Sequence, residues 1–279
     1  MHPILFEIGP LTIRTYGLML ALSFLLGIYL ARGRAPGRGL QPYQVVDLSV
    51  YILIAAIVGA RLFYILVHPE QFRDNPLDAI NVVKGIAGLT MYGGLIFATI
   101  VSLWYMRRNK IAAWRMADVM APSLALGLGL TRIGCFLNGC CHGGPTDLPW
   151  GCVFPANNTS VAGYYFPGQA IHPTQLYESL FGFTLLGLFL LLDRKRKFDG
   201  FLFWFFILLY STFRFMIDFI RFYEPEMIVN QAANSFSWTQ IISLALFVIS
   251  IIMLLRLRRQ GAAAGGTNAT ASKNKKGAG

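Results

Sequence analysis

Arg61, Arg132 and Arg214 each break a run of apolar residues long enough to enter a lipid bilayer, and this constrains the chain more than any other feature. A charged side chain near the bilayer centre costs roughly 2.5–3.5 kcal/mol on insertion scales, so several in one chain are expected to line a polar cavity rather than face lipid. A cavity lined with guanidinium groups suits an anion. The anion a membrane itself supplies is a lipid phosphate, which a guanidinium grips with two parallel hydrogen bonds.

The composition agrees: 55% of the 279 residues are hydrophobic and only 13% are charged. A soluble domain is excluded, and the expectation is an all-α, polytopic membrane protein. Seven stretches approach or reach the ~20 apolar residues that cross the hydrocarbon core; they are 11–31, 45–67, 91–106, 116–137, 175–192, 201–220 and 238–255. Basic residues follow the first (Arg32, Arg34, Arg38), third (Arg107, Arg108, Lys110, Arg115), fifth (Arg194, Lys195, Arg196, Lys197) and seventh (Arg256, Arg258, Arg259, Lys273, Lys275, Lys276). Positively charged loops stay in the cytoplasm, so the N-terminus is expected outside and the C-terminus inside.

The net charge of +11 resides mostly in those loops. It asks for no partner beyond anionic membrane lipids, and nucleic-acid binding is a poor reading of it. The start of the chain lacks a basic n-region, so no cleavable signal peptide is expected. Residues 1–260 read as one transmembrane domain. The stretch 261–279, made of Gly, Ala, Ser, Thr, Asn and Lys with one Gln-flanked start, reads as a disordered basic cytoplasmic tail. No internal repeat is visible, which disfavours transporters built from inverted halves. Arg14, Arg61, Arg73, Lys84, Arg132, Arg214 and Arg221 run against the topology rule and invite a functional reading.

Three outward-facing segments carry the chemistry. Residues 131–143 (TRIGCFLNGCCHG) replace leucines with glycines and small residues around Arg132, which lets backbone approach a ligand and offer N–H groups to an oxyanion. The alternative is that Arg132 snorkels to the interface and the glycines serve helix packing. At the end of the sixth stretch, steps of four, four and three place Tyr210, Arg214, Asp218 and Arg221 on one helical face, with Asp218 between two arginines it can hold in place. In the segment His172-Pro173-Thr174-Gln175-Leu176-Tyr177-Glu178, Thr174 can cap a helix and Glu178 can sit at its positive end. The functional alternative has Glu178 anchoring an arginine across the cavity. Tyr92-Gly93-Gly94 and Tyr16-Gly17 lie at the same outer level, each weak evidence alone.

Cys135, Cys140, Cys141 and Cys152 all fall in one outer stretch. An oxidising compartment would favour one or two disulfides there, or unreactive packing. The spacing lacks the paired Cys-x-x-Cys knuckles of a zinc site, although His142 could be a ligand, and no metal or cofactor is expected. Two competing readings remain: a membrane redox or metal-binding protein using Cys135, Cys140, Cys141 and His142, and an anion transporter lined by Arg61, Arg132 and Arg214. A transport pathway needs polar groups through the whole membrane depth, whereas these cluster outward.

Together these motifs resemble the prolipoprotein diacylglyceryl transferase family. The resemblance runs from the first apolar stretch through the seventh, on Tyr16-Gly17-Leu18-Met19, Gly59-Ala60-Arg61, Tyr92-Gly93-Gly94-Leu95-Ile96, the Arg132 to Gly143 segment, His172 to Glu178, and Tyr210 with Arg214, Asp218 and Arg221. The family signature reads Gly-Arg-x-Gly-Asn-Phe-x-Asn-x-Glu-x-x-Gly; Arg132, Gly134, Phe136, Asn138 and Gly143 match it, while Thr131, Cys135 and Cys140 replace Gly, Asn and Glu. Tyr92 stands where the family often has His, and Asp218 where it commonly has Glu. The departures fall on proton transfer more than on lipid binding.

The resemblance implies transfer of a diacylglyceryl group from phosphatidylglycerol to the lipobox cysteine in the signal peptide of a bacterial prolipoprotein, giving a thioether and glycerol phosphate. It implies a multi-pass protein of the bacterial inner membrane with its active site towards the outer leaflet. Arg132 and Arg214 are then expected to clamp the phosphate. Tyr92, Tyr210 or Tyr16 would position the lipid or relay the proton, and Asp218 would join the catalytic set. Arg61, Gly93, Gly94, Asn138, Gly143, Glu178 and Arg221 would complete substrate binding.

Overall fold

The computed structural model describes residues 4–8, 11–72, 90–155, 160–193, 198–223 and 237–276. Arg73, Lys84 and the basic run 194–197 lie outside them. Helices dominate: α1 (Thr15–Arg34), α2 (Pro42–Val67), α3 (Met91–Arg108), α4 (Ala113–Asn138), the short α5 (Val161–Tyr165), α6 (Thr174–Leu192), α7 (Phe201–Ile217) and α8 (Trp238–Lys276). Two small antiparallel pairs join β1 (Ile4–Ile8) to β2 (Leu11–Arg14), and β3 (Cys152–Val153) to β4 (Ala170–Ile171).

Each apolar stretch read from the sequence falls on a helix, with two corrections at their ends. The first does not begin at Leu11, because Leu11–Arg14 pairs with Ile4–Ile8 as a hairpin and the helix starts at Thr15. The β-branched residues of this segment favour the extended form. The sixth stops at Ile217, three residues short. Among the described residues, five helices qualify by length and apolar composition as membrane spans: Thr15–Arg34, Pro42–Val67, Ala113–Asn138, Thr174–Leu192 and Trp238–Gln260; Phe201–Ile217 is apolar but shorter. The backbone of α8 continues helical from 261 to 276, where the sequence leads one to expect an unstructured extension. Three alanines at 262–264, the strongest helix formers, open that continuation.

The chain divides into two compact units, Ala31–Met116 and Met1–Leu30 with Ala117–Gly279. In the first, α2 and α3 cross at glycines: a Cβ on Gly93 would overlap Phe63 and the Gly59 carbonyl, and one on Gly59 would lie 2.7 Å from Gly93 O. Only residues without a Cβ allow this approach. Thr90 fixes the entry to α3, its hydroxyl donating to Ala60 O at 3.1 Å.

In the second unit, Ala121 and Ala125 of α4, Leu185 and Phe189 of α6, and Leu202 and Phe206 of α7 form the buried core. Small residues on α4 admit the aromatic rings of its neighbours. Fully buried Asp118 on α4 caps α7, accepting from Gly200 N at 2.9 Å and Phe203 N at 3.0 Å. A carboxylate at a helix start pairs orphan N–H groups and opposes the positive end of the helix dipole. Asp118→Ala is therefore expected to lower stability by about 1.5–3 kcal/mol, read as a drop in the unfolding midpoint of the detergent-purified protein.

Candidate functional site

The centre of the second unit is a carboxylate. Glu178 lies in the second turn of α6 with 1% of its surface exposed, and three guanidiniums from different segments converge on it. Arg132, near the end of α4, brings Nε to 2.7 Å from Oε2. Arg214, in the last turn of α7, and Arg221, beyond it, bring Nη1 to 3.3 Å and 3.0 Å from Oε1. Burying so many charges is tolerable only because they neutralise one another. The Arg132 contact is short but not aligned as a hydrogen bond, so Oε2 lacks a hydrogen-bond donor among the described residues, as Arg221 Nε lacks an acceptor.

Glu178 thus pairs with three arginines, where the sequence left open an arginine partner or the helix start. Thr174 does not cap α6 either. Pro173 is the N-cap, and the Thr174 hydroxyl donates to Cys141 O at 2.9 Å while Gln175 Nε2 donates to Cys140 O at 2.8 Å. The start of α6 thus clamps the loop that leaves α4.

That loop is also stitched from the other side. Gly143 N donates to His172 O and Gly144 N to Ile220 O, both at 2.9 Å, and Phe222 N donates to His142 O at 3.1 Å. A Cβ on Gly143 would lie 2.8 Å from Ile220 O, so glycine is required for the three segments to meet. Its role here is close backbone approach, and Arg221 bridges to it in antiparallel fashion. His142 is buried, its Nδ1–H donating to Gly143 O at 2.9 Å and its ring stacked on Phe222.

The expected helical stripe needs correcting. α7 ends at Ile217 with Asp218 as its C-cap, so Arg221 arrives through a turn and the Gly143 bridge rather than along a helix face. Among the described residues Asp218 pairs with Arg214 only, Nη2 to Oδ1 at 3.3 Å, and Arg221 turns to Glu178. In place of a second arginine, Asp218 takes hydroxyls: Tyr223 at 2.7 Å on Oδ1, and Ser237 at 3.2 Å with Thr239 on Oδ2. Tyr223 also accepts from Arg214 Nη2 at 2.5 Å. Burial pushes the Tyr223 phenol up to about 12, so it stays protonated and keeps its donor role.

Sequence reasoning missed Tyr223, Ser237 and Thr239. Their spacing relative to Asp218 carries no periodic signal; only a preference for tyrosine beside buried charge could have suggested the first. Tyr223→Phe is expected to lower turnover about tenfold, because it removes one fixed partner of Arg214 at a cost near 1.4 kcal/mol; steady-state kcat of the purified variant checks this.

Tyr16, 37% exposed near the start of α1, shares the electrostatic surroundings of Arg132, Cys135, Cys140 and Cys141. Tyr210 stacks on Phe206 and lies in the field of Arg132. Asn138 ends α4 beside the Cys140 thiol. Arg61, Tyr92, Gly93 and Gly94 belong to the other unit. There Arg61 lies over the rings of Tyr64 and Phe72 at 5.9 and 5.4 Å, Tyr92 is 52% exposed, and the two glycines serve the α2–α3 crossing. All four cysteines are free thiols, so no disulfide ties this loop.

Residues 3–256 match the family described as prolipoprotein diacylglyceryl transferase. Among curated proteins, the phosphatidylglycerol–prolipoprotein diacylglyceryl transferase of Geobacter sulfurreducens is 35% identical over 93% of this chain and 96% of its own length. The enzymes of the same name from Photobacterium profundum and Clostridium tetani are 37% identical over 91% of this chain and 92% of theirs, and 33% identical over 93% and 100%. Matches of this extent, over the very segments that carry the arginine cluster, leave one assignment: the chain belongs to the prolipoprotein diacylglyceryl transferase family.

Proposed function

We propose that this protein transfers the diacylglyceryl group of phosphatidylglycerol to the lipobox cysteine of a prolipoprotein, forming a thioether and releasing glycerol phosphate. The observation that carries this reading is the charge of the site: three guanidiniums face two carboxylates, leaving one positive charge in excess, and Arg221 Nε is buried without an acceptor among the described residues. A phosphodiester carries one negative charge and offers the acceptors such a fork requires.

The substrate thiol gives up its proton, and its sulfur attacks the phosphate-bearing carbon of the diacylglyceryl unit. A C–S bond forms as the C–O bond breaks, and the electron pair leaves on a phosphate oxygen. Charge on the leaving group grows during this step, so Arg132 and Arg214, already fixed by Glu178, Asp218 and Tyr223, stabilise the transition state without reorganising. Arg221, Asn138 and Tyr16 complete the binding surface, and Tyr210 positions the lipid or relays the proton.

Five described helices are long and apolar enough to cross a membrane, and from the basic residues after the first, third, fifth and seventh apolar stretches we infer seven spans with the N-terminus outside. In that topology residues 1–260 lie in the bacterial inner membrane with the arginine cluster towards the outer leaflet, and the basic stretch 261–279 is a cytoplasmic tail. The test is purified protein with labelled phosphatidylglycerol and a lipobox peptide. Thioether product from the cysteine peptide and none from a serine counterpart is the expected outcome; a folded protein that yields no thioether would overturn the reading.

A further inference from the structure

The last turn of α4 and the loop after it bring three thiols together. The Sγ atoms of Cys135, Cys140 and Cys141 all lie within 4.8 Å of one another. Cys135 is buried and the other two are half-buried. A disulfide would use two of these sulfurs and strand the third. A thiophilic cation uses all three: metal–sulfur bonds of about 2.3 Å in a tetrahedral site set the sulfurs roughly 3.8 Å apart, within a small side-chain rotation of the observed arrangement.

The backbone is built to hold them there. Cys141 adopts the left-handed conformation, φ 62°, which a residue with a side chain rarely accepts and which persists only where the surroundings enforce it. The enforcing contacts are the Thr174 and Gln175 hydrogen bonds to the Cys141 and Cys140 carbonyls, from two side chains that are themselves fully buried. Arg132 approaches from the side, with Nη1 4.0 Å from Cys135 Sγ. A cation there favours the thiolate form of the sulfurs a metal would hold.

We propose that Cys135, Cys140 and Cys141 form a three-thiolate site for one Zn2+ ion, whose open fourth position takes the sulfur of the lipobox cysteine. The second part rests on the transferase reading above. Arg132 touches both Cys135 and Glu178, so a sulfur at that fourth position stands next to the guanidinium cluster assigned to the phosphate. Three protein ligands with one exchangeable position is the arrangement of reactive rather than structural zinc. The metal displaces the proton of the substrate thiol to solvent, and the metal-held thiolate then attacks carbon as the phosphate departs with the C–O electron pair.

The test uses the full-length, reduced, detergent-purified protein and reads binding apart from catalysis. Loaded with Zn2+ or with Cd2+ as a spectroscopic probe, the wild type should hold one metal per chain and show a sulfur-to-cadmium charge-transfer band. C135A/C140A/C141A should lose both, and Cys152→Ala should keep both. A cysteine lipobox peptide should strengthen the band and a serine peptide should not. Stripping the metal should lower thioether formation about 100-fold, with Zn2+ restoring it. Wild type without metal, or metal retained by the triple variant, overturns the site. An unchanged band with the cysteine peptide, or full-rate transfer by stripped protein, overturns the fourth-ligand role. If the metal-loaded wild type shows the peptide-dependent band and makes no thioether, the site stands and the transferase reading fails.

Discussion

Arg132→Ala and Arg214→Ala are each expected to lower kcat for thioether formation about 100- to 1,000-fold, the range observed when one preorganised charge-stabilising donor is removed from a site where charge develops. Both guanidiniums sit on a carboxylate that is 1% exposed, so their positions are set before substrate arrives. Lysine at either position should recover little, because a point charge cannot reproduce the planar fork that meets Glu178 and still leaves donors for a phosphate. Single-turnover assays on protein that retains its wild-type unfolding midpoint check this. Normal turnover by either alanine variant would remove the phosphate clamp from the mechanism.

Glu178→Gln should have the largest effect on stability. It leaves three guanidiniums around a neutral amide, and breaking a buried ion pair by removing one partner costs about 3–5 kcal/mol. Glu178 is the group on which the ends of α4 and α7 and the segment beyond α7 all meet, so the loss is not confined to one helix. The expected result is a lower unfolding midpoint together with loss of transfer, measured by thermal denaturation in detergent and by the same assay. Compared with Asp218→Asn, which keeps hydroxyl partners from Tyr223, Ser237 and Thr239, it should be the more damaging change.

Much of the site was legible because rare residue types in apolar surroundings have few innocent explanations. Of the arginines that break apolar runs, Arg132 and Arg214 meet at Glu178, joined by Arg221, whereas Arg61 lies over Tyr64 and Phe72 in the other unit. The motif around Glu178 marks it in the sequence but is equally compatible with a helix-end role and with an arginine partner. Tyr223, Ser237 and Thr239 were not legible. Hydroxyl-bearing residues between helices are common, and nothing local says which of them will face Asp218. The stripe on the sixth apolar stretch failed at Arg221 because a period of 3.6 says nothing about where a helix stops; Asp218 as C-cap and the Gly143 bridge decide that.

By itself the sequence determined that this is a helical membrane protein with arginines held away from lipid, since apolar length and the cost of buried charge are properties of composition and order alone. Which charges pair, and how three cysteines spread over residues 135–141 come within 4.8 Å of one another, only the tertiary structure decided. Those pairings depend on side chains from α4, α6, α7 and the loops between them meeting in space, where a difference of a few ångströms separates an ion pair from two unrelated charges.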